Sequence, residues 1–170
     1  LVEKIKCAIE AIVEPKRRGM VINWLASFCR YLHFEKQFEP SWLKKYRPGD
    51  IIDMDFGMNI GAEFGGVHFA VVVEENSRKD SNVVVVPLAS YDLSDPPDKS
   101  HQVDLGVIPE LNTYRGGSKK GTRAIVKQIR ATSKMRIYYP KKTKEQLYRL
   151  SAEELDKIYA KIIELYSKKY

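Results

Sequence analysis

The sequence predicts a mainly β chain with helices (α+β), built as a small curved barrel with a C-terminal helix and an N-terminal helical extension. Three observations carry this prediction. The apolar spacing changes at Gly49 from the period of a helix to that of strands. The runs at 67–73 and 83–88 are β-branched and nearly uninterrupted, as in buried strands. Residues 151–166 open on Ser151 and Glu154, a capping-box pair, and then repeat apolar residues along one face.

Each element follows in order. Val2, Ile5, Ile9, Ile12 and Val13 stand at helical spacing, and Pro15 ends that segment. Val21, Trp24, Leu25, Phe28, Tyr31 and Leu32 repeat the pattern, so a helical hairpin turned at 15–19 is expected. Pro40, Ser41 and the Arg47-Pro48-Gly49 step punctuate the way onward. The expected division is a helical extension at 1–48 and a barrel domain at 49–170. Residues 51–56, 67–73 and 83–88 read as strands, with the polar stretch 74–82 as a turn. Residues 91–122 carry Pro96, Pro97 and Pro109 and read as a long irregular connection. Residues 124–129 and 134–138 read as two further strands. Five or so short strands with a covering terminal helix suit an SH3-like barrel.

Composition narrows the function classes. A chain of 170 residues with 44% hydrophobic and 30% charged residues fits one substantial globular domain. No apolar run approaches the roughly 20 residues of a membrane span, and the first segment is too charged for a signal-peptide core. A cytoplasmic location without membrane attachment is therefore expected. The chain starts on Leu1, so its natural start is expected upstream. Cys7 and Cys29 lie on apolar faces of the predicted helices and are expected as buried thiols. With no Cys-x-x-Cys and no His/Cys cluster, neither a metal site nor a cofactor is expected. The net charge of +7 is concentrated: residues 115–149 hold twelve Lys or Arg against Glu145 alone, giving +11, while residues 1–114 hold thirteen cations and seventeen anions, giving −4. A field of that sign on a predicted strand points to a polyanion such as nucleic acid, ahead of the plainer alternative of a solvated face kept basic for solubility.

The residues able to do chemistry gather in two blocks. Gly57, Gly61, Glu63, Gly65, Gly66 and His68 lie within twelve residues. Glycines before a strand allow close backbone approach, and a Glu beside a His can serve as general base and acid. A strand-edge His that merely bonds a carbonyl is the plainer alternative. Ser90, at the exit of the third strand, offers a hydroxyl to a phosphate oxygen or serves as an ordinary turn residue. Arg130 offers a planar fork for a phosphate, or a salt bridge to Glu63. On a strand, Gln128 and Arg130 would share a face and Lys127 would point away. Asn76, Ser77, Arg78 and Lys79 form a basic turn able to touch single-stranded bases and backbone, and turn chemistry alone explains them equally well. Tyr91, Tyr114, Tyr138 and Tyr139 are candidates for base stacking.

Taken together and in order, four stretches resemble the PemK/MazF family of toxin endoribonucleases from bacterial toxin–antitoxin systems. They are GDIIDMDFG at 49–57, GAEFGGVHFAVVVEEN at 61–76, VVVVPLAS at 83–90 and AIVKQIRATSKMRI at 124–137, and LSAEELDKIYAKIIELY resembles the family's closing helix. The resemblance implies a homodimeric SH3-like barrel that cleaves single-stranded RNA, often mRNA, without a metal and is neutralised by a cognate antitoxin. Glu63 falls in the family's G-x-E-x-G-G segment, and Gln128 and Arg130 in its Q-I-R motif. Two departures stand out. His68-Phe69 replaces the usual Arg-Pro, and Ala89-Ser90 replaces the usual Thr-Ser. The catalytic set expected here is therefore His68, Glu63, Ser90 and Arg130. The expected RNA contacts are Gly65, Gly66, Asn76, Ser77, Lys79, Lys127, Gln128 and Lys134. The chemistry would be attack of a ribose 2′-OH on the adjacent phosphate, leaving a 2′,3′-cyclic phosphate and a 5′-OH. The rival expectations are an RNA- or protein-binding module that kept the barrel without the chemistry, and a toxin of the same fold acting on DNA gyrase.

Overall fold

The structure is a computed structural model that describes residues 1–98, 100–117 and 119–167. Among the described residues four α-helices and seven strands follow in the order α1 Val2–Glu10, α2 Pro15–Phe34, β1 Ile51–Asp55, β2 Val67–Val72, β3 Asn82–Tyr91, β4 Gln102–Asp104, α3 Pro109–Tyr114, β5 Gly121–Ile125, β6 Arg130–Ser133, β7 Ile137–Tyr139 and α4 Ala152–Tyr166. All strand pairs are antiparallel, and the sheet runs β4-β5-β3-β2-β1-β7 with β6 also on β3. β6 pairs with β3 and β7 with β1, and the 3₁₀ turn Lys134–Arg136 joins them. That short link curls the sheet into the expected barrel.

The uninterrupted β-branched runs are explained by burial on both faces. Ile51, Phe69, Val71, Val86 and Leu88 point to one apolar cluster, which Ile158 of α4 completes. Ile52, Met54, Ala70, Val72, Val83 and Val85 alternate with them into a second. Leu43 and Tyr46 enter that second cluster from ahead of β1, and the Tyr46 hydroxyl donates to the Pro140 carbonyl at 2.7 Å. The barrel core thus recruits side chains from ahead of Gly49. α4 starts as its sequence predicts: Ser151 Oγ accepts from the Glu154 amide at 3.2 Å, and Glu154 Oε2 accepts from the Ser151 amide at 2.8 Å.

Four expectations are corrected. The helical hairpin breaks ahead of Pro15 rather than at 15–19, because a proline lacks only an N–H that the first helical turn leaves unpaired anyway. Arg18 then donates to the Ile12 carbonyl at 2.6 and 2.9 Å, bracing the break. Cys7 and Cys29 are exposed free thiols, since neither α1 nor α2 buries a residue. Residues 91–122 hold β4 and α3, elements too short for periodicity to reveal. The strand expected at 124–129 ends at Ile125 and gives way to a 3₁₀ turn, Val126–Gln128.

That last correction has a geometric cause. Leu88 faces Ala124 and Val85 faces Arg130, so three steps along β3 correspond to six along its neighbour. The surplus residues leave the sheet as the 3₁₀ turn.

Ile158 is fully buried, whereas Ile163 on the same helix is 61% exposed. Ile158→Ala is expected to destabilise the fold by about 2–5 kcal/mol, and Ile163→Ala by under about 0.5 kcal/mol, measured by urea unfolding.

Candidate functional site

The connection between β1 and β2, residues 56–66, is tied shut at its base. The Phe56 amide donates to the Gly66 carbonyl at 2.8 Å, and the Gly66 amide to the Gly57 carbonyl at 2.7 Å. A side chain on Gly65 would meet that same Gly57 carbonyl at 2.7 Å, so the close approach requires glycine there. Inside the loop, Asn59 Nδ2 donates to the carbonyls of Phe56 and Phe64 at 3.2 and 2.7 Å.

Gln128 fastens this loop to the far strand. Projected by the 3₁₀ turn, its Oε1 accepts from the Phe64 amide at 3.3 Å and from Arg130 Nη2 at 2.8 Å, and its Nε2 donates to the Ala62 carbonyl at 3.3 Å. One amide side chain thereby links the segment around Glu63 to the guanidinium of Arg130. The His68 ring packs at 4.6 Å from Phe64, the next residue along. The structure therefore brings Glu63, His68 and Arg130 around one loop. Beside them is a cleft of about 320 Å³ lined by Phe56, Asn59, Arg130, Thr132, Ser133 and Arg136.

The electrostatics of the three groups differ. Burial lowers the pKa of His68, and the Arg115 charge lowers it further. Its Nδ1 is buried with no hydrogen-bond partner, a position that a neutral ring tolerates better than a charged one. Burial also lowers the pKa of Arg130; Glu63 opposes that and Arg136 reinforces it. Glu63 itself is exposed and, among the described residues, makes no ion pair within 4.0 Å; in place of the salt bridge that was the plainer alternative, Arg130 contacts Gln128.

Other expected site residues are placed elsewhere. Ser90 pairs with Thr122 and lines a small cleft with Phe69, Ala89, Asn112 and Arg115. It is five residues along β3 from Val85, the partner of Arg130, or about 17 Å of strand. Asn76 is corrected to a structural role. It is 3% exposed, and its Nδ2 donates to the Asn82 carbonyl at 3.0 Å and to Glu74 Oε1 at 3.1 Å, knitting the turn. Lys134 is corrected likewise: it is 1% exposed, with its ammonium on the Ser77 carbonyl at 2.7 Å. Gln128 spends its amide on the loop, and Lys127 stands exposed on the same 3₁₀ turn, not on a strand. Ser77 and Lys79 are exposed in the turn after β2, at the end of that strand away from the 56–66 loop. Tyr91 is buried with its hydroxyl on Asp104 at 2.6 Å, and Tyr114 stacks on Tyr139 at 5.8 Å, so both pairs are structural contacts. Tyr138 remains 40% exposed.

Sequence reasoning missed Arg115, which lies 3.8 Å over the Phe69 ring and faces Asp53 and Tyr114. Its only signal was a cation placed just before Gly116-Gly117. The reasoning also missed the bracing of the loop by α2. Trp24 packs so closely on Gly57, whose φ is +82°, that a side chain there would approach its ring to 2.9 Å. Asp55 Oδ1 accepts from the Gly57 amide at 2.8 Å, and its Oδ2 accepts from Tyr31 and Tyr138 at 3.2 and 3.4 Å. Among the described residues no three His, Cys, Asp or Glu side chains gather as a metal set. No described helix is long and apolar enough to cross a membrane.

Comparison with known proteins adds three findings. The model of the PemK-like, MazF-like toxins of type II toxin–antitoxin systems matches residues 47–166. Among solved structures, MazF from Deinococcus radiodurans is similar at 17% identity and a TM-score of 0.50, covering 75% of this chain and 99% of that one. An endoribonuclease in complex with its cognate antitoxin, from a mycobacterial species, is similar at 15% identity and a TM-score of 0.47, covering 72% and 96%. The curated proteins give no match.

Gln128→Ala is expected to release the loop without unfolding the barrel. Amide hydrogen exchange at Phe64 should quicken about tenfold, while exchange in β2 and β3 stays unchanged.

Proposed function

The chain belongs to the PemK-like, MazF-like toxin family of type II toxin–antitoxin systems, and from that premise we propose that it is an endoribonuclease toxin that cuts single-stranded RNA without a metal. The observation that supports this reading is the Gln128 strap, which holds Arg130 beside the loop bearing Glu63 and packing on His68. A type II toxin is paired with an antitoxin protein, so a cognate antitoxin is the expected partner. A homodimer is the expected assembly.

The reaction needs a base for the ribose 2′-OH, a proton for the departing 5′-oxygen and a cation on the phosphoryl oxygens. The lowered pKa of His68 keeps its ring neutral near pH 7 and suits it to take the 2′-OH proton. Arg130 faces the charge that grows on the phosphate, and Arg136 lines the same cleft. The 2′-oxygen bonds to phosphorus as the bond to the 5′-oxygen breaks. That oxygen takes a proton from the solvent-open side, where Glu63 stands. Ser90 is too far along β3 to share a phosphate with Arg130, so its hydroxyl is assigned to a neighbouring nucleotide beside Arg115. The same separation favours the rival reading, a barrel that binds RNA without cutting it.

Two experiments decide. Purified protein incubated with end-labelled single-stranded RNA in EDTA should yield 2′,3′-cyclic phosphate and 5′-OH ends, and intact RNA would leave the binding module. His68→Ala should lower cleavage by about 10²- to 10⁴-fold with the fold retained; unchanged cleavage removes the imidazole from the mechanism. The pH profile supplies the sign. A base active in its neutral form, with a depressed pKa, gives kcat/KM that rises from acid with a midpoint below the ordinary imidazole value of 6.5 and is level above it. A midpoint above 6.5 argues against this assignment.

A further inference from the structure

Where the end of α2 meets the barrel, a cleft of about 420 Å³ opens that none of the chemistry above uses. Its apolar wall is formed by Phe34, Phe38, Trp42 and Met135. Trp42 is 59% exposed and Phe34 49%, an unusual display for two large aromatic side chains lining one cleft. Arg30, Lys141 and Lys142 also line the cleft, and no carboxylate does. Among the described residues none of these three cations makes an ion pair; Arg30 donates only to the Ser27 hydroxyl, at 2.8 Å. Much of the cleft comes from residues 30–43, which lie ahead of the matched residues 47–166. It is therefore a feature of the extension joined to the barrel.

We propose that this cleft docks an acidic peptide segment of a partner protein whose bulky apolar side chains enter between Trp42 and Phe34 while its carboxylates meet Arg30, Lys141 and Lys142. Charge complementarity selects the partner. Three cations outside ion-pair distance of any described carboxylate attract an anionic chain, with only the Lys141 and Lys142 pair partly offset by Glu145, which accepts from their backbone amides at 2.8 and 3.0 Å, and the apolar wall adds anchors that a purely charged ligand cannot fill. The same wall disfavours a nucleic acid. Phe38 and Trp42 meet edge to face, at 6.3 Å and 86°, which forms a slot for side chains in place of a flat stacking platform. The segment holding Trp42 is firmly placed, because Arg78 donates to the carbonyls of Ser41 and Leu43 from the β2–β3 turn. A preformed slot spares the partner part of the ordering cost of binding.

The test uses the full chain and three labelled probes read by fluorescence anisotropy: a synthetic peptide alternating Glu with Leu and Phe, the same peptide with Gln for every Glu, and oligouridylate. The acidic peptide should bind saturably, more weakly as salt rises, and about tenfold or more tighter than its Gln counterpart. Trp42→Ala, and separately Lys141→Glu with Lys142→Glu, should each weaken it about tenfold or more. The charge reversal lies wholly on exposed side chains and remains readable should Trp42→Ala disturb the fold. Neither variant should change RNA cleavage. Absence of saturable peptide binding, equal binding of the Gln peptide, affinity untouched by both variants, or oligouridylate binding lost in the same variants overturns the proposal. The peptide measurement stands whether or not the chain cuts RNA, so failure here and failure of the endoribonuclease reading are told apart.

Discussion

The constraint on which the site depends is the mismatch along one edge of β3. That edge has two neighbours, β5 beyond Leu88 and β6 before Val85, and the chain between them is longer than the gap it spans. A strand cannot absorb the surplus without leaving the ladder. It leaves as the 3₁₀ turn Val126–Gln128, with Val126 buried as its anchor and Gln128 thrown toward the 56–66 loop. An amide suits that position because it carries donors and an acceptor at once. It can hold two loop backbone groups and one guanidinium, which neither a lysine nor a glutamate can do. The site is thus a consequence of sheet register more than of the glycine loop alone.

Charge follows from the same placement. Arg130 and Arg136 line one cleft, and after burial the charge of Arg136 further weakens the hold of Arg130 on its proton. Glu63 offsets the charge of Arg130 from an exposed loop, outside ion-pair distance. A pair of cations left under-compensated on a concave wall is costly to the free protein and favourable to an arriving anion. The basic segment identified in the sequence is therefore not a uniform face. Lys134 is withdrawn into the turn, Lys127 stands in solvent, and the guanidinium groups carry the field at the cleft.

The barrel was legible in the sequence because strands buried on both faces leave long β-branched runs, and the α4 cap was legible because Ser151 and Glu154 form a local motif. Glu63, His68 and Arg130 were singled out from the sequence, but the link that Gln128 makes between the loop and Arg130 was not. Two of the site residues that failed share one cause. Asn76 and Lys134 are polar residues whose burial is set by backbone carbonyls far away in sequence or across a turn, at Asn82 and Ser77. No local pattern reports such partners. The cysteines failed for the opposite reason: an apolar helical face implies burial only where a second surface covers it, and α1 and α2 have little such cover.

That scant cover frames the role of α2. The helix is held to the barrel through few groups: Trp24 on Gly57, Tyr31 on Asp55, and the Arg136 guanidinium 5.1 Å over the Trp24 ring. Contacts of these kinds contribute on the order of 1 kcal/mol each. Trp24 and Phe34 lie ten residues apart on one uninterrupted helix, about 15 Å along its axis. One end of that span rests on the loop that carries Glu63, and the other walls the cationic cleft. Gly19, the one glycine in α2, lies outside that span. One uninterrupted helix thus borders both the loop and the cleft.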